Sequence, residues 1–255
     1  MRRLLASLFA LSLGLGLGAT ARAEESQELL TQRWSFDGLF GTFDRGAAQR
    51  GFQVYKEVCA NCHALSLLSY RNLMALGFSE DEVKAIAAEA KVQDGPNDQG
   101  EMFDRPGRAS DRFVKPFPNE KAARANNNGA YPPDLSLMTK ARKGGPDYVY
   151  SILNGYGDAP PGVTIAEGMN YNKYFAAGEH QIAMPQPLQP NQVTYADSTP
   201  ASLPQEAHDV VTFLEWAAEP ELEARKRIGL EVILFLIVLT GMLYAVKRKV
   251  WAAIH

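Results

Sequence analysis

The two cysteines of the chain, Cys59 and Cys62, stand three positions apart, and His63 follows at once. Three chemistries use thiols at that spacing. A redox dithiol belongs in a βαβ setting. A structural zinc site takes four ligands, usually as two pairs. Cys-x-x-Cys-His attaches a c-type haem: the two thiols add to the vinyl groups and the adjacent imidazole reaches the iron from the same edge. Nothing after His63 reads as βαβ, there is no second cysteine pair, and His180, His208 and His255 are scattered. A disulfide within the motif would leave His63 unexplained. One covalent haem c explains all three residues, so Cys59 and Cys62 are expected to carry it and His63 to ligate its iron.

What holds the opposite face of the iron decides the use. An open face suits catalysis or gas binding, and a protein ligand suits electron transfer. The candidate thioethers outside the apolar tail are Met74, Met102, Met138, Met169 and Met184. Met74 is too near His63 to swing round, and Met102 and Met169 lie among polar residues. Met184 lies in Ile182-Ala-Met-Pro-Gln-Pro-Leu188, where prolines stiffen an extended, largely apolar loop. Met184 is the favoured ligand on these grounds, with His180 as runner-up and plain packing of Met184 as the alternative.

These residues must be positioned by something, and the chain ends say where. Residues 1–23 read as a cleaved signal peptide: Arg2 and Arg3, an apolar run, then Ala21-Arg22-Ala23. A second apolar run, Ile228 to Val246, is long enough to span a bilayer and has basic triplets on both sides. Since those flanks leave the positive-inside rule undecided, the signal peptide sets the orientation. The expected layout is a periplasmic domain at 24–224, a transmembrane anchor with basic flanks at 225–249, and a cytoplasmic tail at 250–255. That places a single-pass protein in a bacterial inner membrane. Residues 24–224 carry 17 basic against 28 acidic side chains, net −11. Such a domain repels nucleic acid and anionic lipid and suits a basic partner.

Within the domain, periodicity predicts a helix over 47–61 with Ala48, Gly51, Phe52, Tyr55, Val58 and Cys59 near one face. Ser79-Glu-Asp-Glu82 is a capping box opening a second helix. A polar stretch broken by Gly and Pro, from Asp94 to about Pro118, reads as loop. A short helix follows at 120–125, and Pro146 after Gly144-Gly145 starts one that ends near Asn154-Gly155. Residues 155–200 show no sustained period, and Ser202 to Ala218 is amphipathic. The fold class is therefore mainly α, a c-type cytochrome domain with long loops around one covalent haem, plus one C-terminal transmembrane helix. Loops that long suggest a bound group supplying core.

Further stretches carry a family resemblance. They are Gly51-Phe-Gln-Val-Tyr-Lys-Glu-Val-Cys59, Val92-Gln-Asp-Gly-Pro-Asn97, Gly100-Glu-Met-Phe103, Asn127-Asn-Gly-Ala130 and Pro132-Pro-Asp-Leu-Ser136. With Ala183-Met-Pro185, Thr212-Phe-Leu214 and Glu219-Pro220, they make the chain resemble cytochrome c1, the haem subunit of the ubiquinol–cytochrome c reductase (cytochrome bc1) complex. The resemblance implies thioether positions at Cys59 and Cys62, and axial iron ligands at His63 and Met184. It also implies propionate contacts from Arg142 and Tyr148, and pocket lining by Asn127 and Pro133. Read without the resemblance, Arg142 would belong to a solvated basic cluster with Lys140 and Lys143.

The implied function is one-electron transfer in a respiratory or photosynthetic chain, from the Rieske iron–sulfur protein to a basic cytochrome c, soluble or tethered. Cytochrome b and membrane lipid are implied as neighbours. The subunit would be a redox carrier within an oxidoreductase complex, with no catalytic residues of its own. Two features depart from the family pattern. Gln186 interrupts the proline-rich run after Met184, and an extra cysteine pair carried near that Met by some bacterial relatives has no counterpart here. A membrane-anchored haem enzyme such as a peroxidase, and a purely structural anchor, are the rival functions.

Overall fold

The computed structural model describes residues 27–252. The expected signal peptide and the last residues of the expected tail, 253–255, lie outside the described residues. Helix α1 spans Arg45–Glu57 and starts where the Asp44 carboxylate accepts from Ala47 N. Such a cap is worth about 1 kcal/mol. Its buried face is Ala47, Ala48, Gly51, Phe52, Val54 and Tyr55, and it packs along α6, Leu203–Ala218. Gly51 makes the approach possible, because a Cβ there would lie 1.9 Å from the carbonyl oxygen of Asp209.

Helix α6 is the centre of the fold. Ser202, expected as part of the amphipathic stretch, stands as its N-cap, and Ala207, Val210, Val211, Phe213, Leu214 and Trp216 are all buried. Phe213 meets Tyr55 and Phe52 at ring-centroid distances of 5.7 and 5.6 Å. Each large side chain buried this way contributes about 1.5–3 kcal/mol. Two further helices, α4 (Met138–Ala141) and α5 (Gly145–Asn154), pack against α6 and each other. The positive φ of Gly144 turns the chain into α5, with Pro146 in its first turn.

Helix α2, Glu80–Ala88, opens on the Ser79/Glu82 capping box and buries Val83 and Ala87. Residues 91–106 form a hairpin where the end of the second helix and, from Asp94, a loop were expected. Strand β1 (Lys91–Asp94) pairs antiparallel with β2 (Phe103–Pro106), Val92 facing Arg105. Mostly exposed on both faces, the strands lack the alternating apolar pattern by which a strand is read. Helix α3 covers Glu120–Asn126. The stretch 155–200 has little regular structure, with a two-residue pairing of β3 (Asn170–Tyr171) and β4 (Gln181–Ile182).

A strap ahead of α1 crosses the domain. Leu30 N donates to Ser151 Oγ, Trp34 Nε1 donates to Asp147 Oδ1 at 2.8 Å, and the Trp34 ring stacks on His208 at 4.9 Å. Helix α7, Leu222–Trp251, leaves the domain with only Leu222 buried. Its root is fixed by ion pairs from Lys140 and Arg225 to Glu219 and from Arg45 to Glu223. Its best 18-residue window has mean hydropathy 2.3 and no burial, so it is long and apolar enough to cross a membrane. The expected span at 225–249 falls inside it.

Candidate functional site

The site begins where α1 ends. Its last turn gives way to a 3-10 turn at Cys59–Asn61, and Asn61 Nδ2 donates to the free carbonyls of Glu57 and Val58 at 3.0 and 3.2 Å. The carbonyl of Cys59 accepts from both Cys62 N (3.1 Å) and His63 N (2.9 Å). One backbone acceptor therefore fixes the relative placement of all three motif residues. Both cysteines are free thiols. Burial pushes the Cys59 thiol up to about 12, further helped by Cys62. At neutral pH its sulfur is uncharged.

His63 is held from across the chain. Its Nδ1 lies 2.8 Å from the carbonyl oxygen of Pro133. A carbonyl can only accept, so the proton sits on Nδ1 and Nε2 keeps its lone pair for a metal. Burial lowers the His63 pKa, partly opposed by Pro133 and the charge of Asp134, and the imidazole stays neutral as a ligand must. The two segments are laced together further. Leu135 N donates to Ala64 O, and Ser66 Oγ donates to Asp134 Oδ2 at 2.5 Å. Burial disfavours the Asp134 carboxylate, but hydrogen bonds from Ser136 and Ser66 override it and hold the group below its ordinary value. A half-buried neutral Cys59 sulfur, an exposed Cys62, an oriented neutral imidazole and a fixed turn all fit a covalently attached haem.

The Met184 loop is positioned by a different set of contacts. The β3–β4 register sets Asn170 opposite Ile182, two residues before Met184. Tyr156 OH donates to the carbonyl of Met184 at 3.0 Å, and Asn170 Nδ2 lies 3.4 Å from the same oxygen. Met184 is half-buried, whereas Met74 and Met102 are largely exposed. His180 has a left-handed φ of 64° and its Nδ1 is buried without a partner. Tyr156 and Asn170 were not legible as site residues. An aromatic in the glycine-rich run Asn154-Gly-Tyr-Gly157 was the available signal.

The remaining expected residues divide. Pro133 joins His63 through its carbonyl. Tyr148 is half-buried against the core, and its phenol pKa is raised by burial and opposed by the charge of Arg142 beside it. Arg142 is exposed, donates to the carbonyl of Ala141 at 3.3 Å and lies close enough to oppose that rise by charge and hydrogen bond, so the structure brings Arg142 and Tyr148 together at the surface. Asn127 spends its side-chain donor on Ala123 O at 2.7 Å, closing the end of α3. Among the described residues no cluster of three His, Cys, Asp or Glu side chains could hold a metal ion.

The model of the cytochrome c1 family matches residues 34–254. This chain belongs to the cytochrome c1 family. It is 48% identical to cytochrome c1 of Rhodospirillum rubrum over 96% of each chain. It is 52% identical to a mitochondrial cytochrome c1 haem protein of Solanum tuberosum, over 87% of this chain and 86% of the relative. It is also 52% identical to cytochrome b/c1 of Bradyrhizobium diazoefficiens, over 96% of this chain but only 39% of that longer relative. Members of the cytochrome c1 family bind one covalent haem c, and the chain is a haem-containing electron-transfer subunit of the bc1 complex with a membrane anchor at α7.

Proposed function

We propose that Cys59 and Cys62 carry the thioether bonds of haem c, that His63 and Met184 ligate its iron, and that Arg142, Tyr148, Asn127 and Pro133 surround it. Haem c, once bound, supplies a one-electron Fe(III)/Fe(II) couple. The chain's part is to hold the ligands still. Pro133 keeps the His63 ring in one tautomer and orientation. Tyr156 and Asn170 grip the Met184 carbonyl while Pro185 and Pro187 stiffen the strand beyond it. Arg142 offers a positive charge to a carboxylate. The single observation that carries the assignment is the 2.8 Å contact from His63 Nδ1 to Pro133, which leaves Nε2 as the ligating atom.

As electron donor we infer the Rieske iron–sulfur protein, and as acceptor a basic cytochrome c, soluble or tethered. The net charge of −11 on residues 24–224 supports the acceptor. Cytochrome b as neighbour is supported by the Bradyrhizobium relative, whose name joins b and c1. The division into a signal at 1–23, a periplasmic domain at 24–224, an anchor at 225–249 and a cytoplasmic tail at 250–255 belongs to the same proposal. Met184→Leu in the haem-loaded chain tests the ligand set. It should lower the reduction potential and open the iron to carbon monoxide, because a thioether ligand raises the potential. Ready carbon monoxide binding by the unsubstituted chain would overturn the carrier role in favour of a haem enzyme. For the acceptor, the transfer rate should fall steeply with ionic strength, and a flat response would rule out charge steering.

A further inference from the structure

Between Trp34 and Phe43 the strap folds into a closed loop. Thr42 N donates to Ser35 O at 3.0 Å, and Asp37 N donates to Trp34 O at 3.1 Å. Gly38 has a φ of 71°, and a Cβ on Gly41 would lie 2.0 Å from the carbonyl oxygen of Asp37, so the fold-back is tight. The base of the loop is buried through Trp34, Phe36 and Phe43, yet its tip is bare. Leu39 is 58% exposed and Phe40 77%, more than any other exposed large apolar side chain among the described residues, those of α7 included. Single exposed apolar residues are ordinary. Two adjacent ones on a pinned, glycine-flanked tip are a presented surface.

The tip is tied to the place where α7 leaves the domain. Lys226 Nζ donates to Phe36 O at 2.6 Å and Gly41 O at 3.1 Å. Phe43 N donates to Glu223 Oε1 at 2.8 Å, and the same carboxylate pairs with Arg45. Lys226 is the middle of Arg225-Lys-Arg227, and the apolar run begins at the next residue, Ile228. Basic residues at the end of a membrane helix belong at headgroup level. The loop is therefore held at that level by direct hydrogen bonds.

We propose that Leu39 and Phe40 are a second membrane contact, a hydrophobic wedge that enters the headgroup–acyl boundary of the leaflet from which α7 emerges. The depth suited to such a contact is about 5–10 Å. A two-residue convex tip suits a fluid interface better than a protein neighbour, since a stable protein interface takes roughly 800 Å² from each partner. Arg225 is paired with Glu219. Exposed Arg227, 4.0 Å from Glu231, can turn to a headgroup phosphate at the root of an otherwise acidic domain. With α7, the wedge gives two points of attachment and fixes the tilt of the haem domain over the membrane, which a single helix would leave free to rock.

The wedge rests on α7 crossing the membrane, so the test reads both. Phe40→Cys and Ile237→Cys are made separately in the haem-loaded full chain, labelled with an environment-sensitive fluorophore, and placed in anionic bilayer discs containing spin-labelled lipids. The unsubstituted chain sets the background. The label at 40 should emit to the blue, lose emission to lipids labelled near the headgroup, and resist aqueous iodide. The label at 237 should lose emission to lipids labelled deep in the acyl chain. Loss at 237 without loss at 40 overturns the wedge alone, and loss at neither overturns the membrane reading of α7 with it. The same Phe40→Cys label in the whole complex must also be quenched by lipid. If it is quenched only in the separate chain, a protein neighbour covers the tip and the wedge is wrong.

Discussion

The phenol oxygen of Tyr156 lies 3.0 Å from the carbonyl oxygen of Met184, joining the second residue after α5 to the loop expected to present a thioether. Burial raises the Tyr156 pKa, so the phenol stays protonated and a donor at physiological pH. Tyr156→Phe removes that donor and leaves only the longer contact from Asn170. A neutral hydrogen bond of this kind is worth about 1 kcal/mol. If it restrains Met184, the fraction of haem-loaded protein that binds carbon monoxide should rise about fivefold, the population change that such an energy produces. Carbon monoxide titration of the reduced protein measures this, and an unchanged fraction would mean that the loop is held without Tyr156.

Arg50 ties α1 to α6. Its Nε and Nη2 reach the two carboxylate oxygens of buried Asp209 at 2.8 and 3.1 Å, and Nη1 reaches Asp197 at 2.8 Å. Burial opposes ionisation of Asp209, but hydrogen bonds from Arg50 and Gln205, with His208 Nδ1 3.7 Å away, outweigh it and hold the carboxyl below its ordinary value. A carboxyl lowered in the folded state adds stability that is complete above the ordinary carboxylate range and is lost as pH falls through the folded value. Arg50→Met should therefore cost about 3 kcal/mol near neutral pH and progressively less in acid, as Asp209 protonates. Denaturant unfolding of the haem-loaded protein at pH 7 and below pH 4 checks both the size and the trend.

Glu206 has the opposite sign. It is fully buried, Oε1 accepts from Gln192 N and Val193 N at 3.1 and 3.3 Å, and Oε2 has no partner. Burial raises its pKa against those two backbone donors. The folded state then holds the proton more tightly, so stability declines as pH rises from the ordinary carboxylate range through the raised value. Glu206→Gln should match the parent in acid and exceed it near neutral pH by on the order of 1 kcal/mol, because the amide oxygen keeps the two backbone donors without a buried charge. Melting curves across pH decide it, and a variant less stable at every pH would show that the carboxylate is wanted.

The features legible in the sequence were those set by neighbours along the chain. Ser79 and Glu82 announce α2 because both halves of the capping box lie within one turn, and Pro146 announces α5 because its fixed φ suits a first turn. Cys59, Cys62 and His63 are legible for the same reason. The contacts that orient the site are not local. His63 and Pro133 are 70 residues apart, Tyr156 and Met184 are 28 apart, and both bonds end on backbone carbonyls, which every residue type possesses. The β1–β2 hairpin escaped notice because its exposed strands leave no hydrophobic period to read.

Gly51 lies between these cases. Its place on the apolar face of α1 is legible, but the reason it is glycine appears only where α1 meets α6. A methyl group there would stand 1.9 Å from Asp209 O and 2.8 Å from Phe213 Cβ, and neither can retreat from the centre of the core. In an isolated helix Gly51→Ala would stabilise by up to about 1 kcal/mol. Here the added atom should push α1 off α6, and overpacking of this kind costs roughly 1–3 kcal/mol, with backbone contact placing it at the upper end. Cys59 follows the same helix by a single turn, so the displacement also reaches the haem attachment. Gly51→Ala should lower the melting temperature of the haem-loaded protein and reduce the yield of covalently loaded chain, whereas Gly→Ala at exposed Gly157, which a Cβ would leave in open space, should do neither. Equal behaviour of the two variants would mean that the α1–α6 contact is looser than the 1.9 Å approach requires.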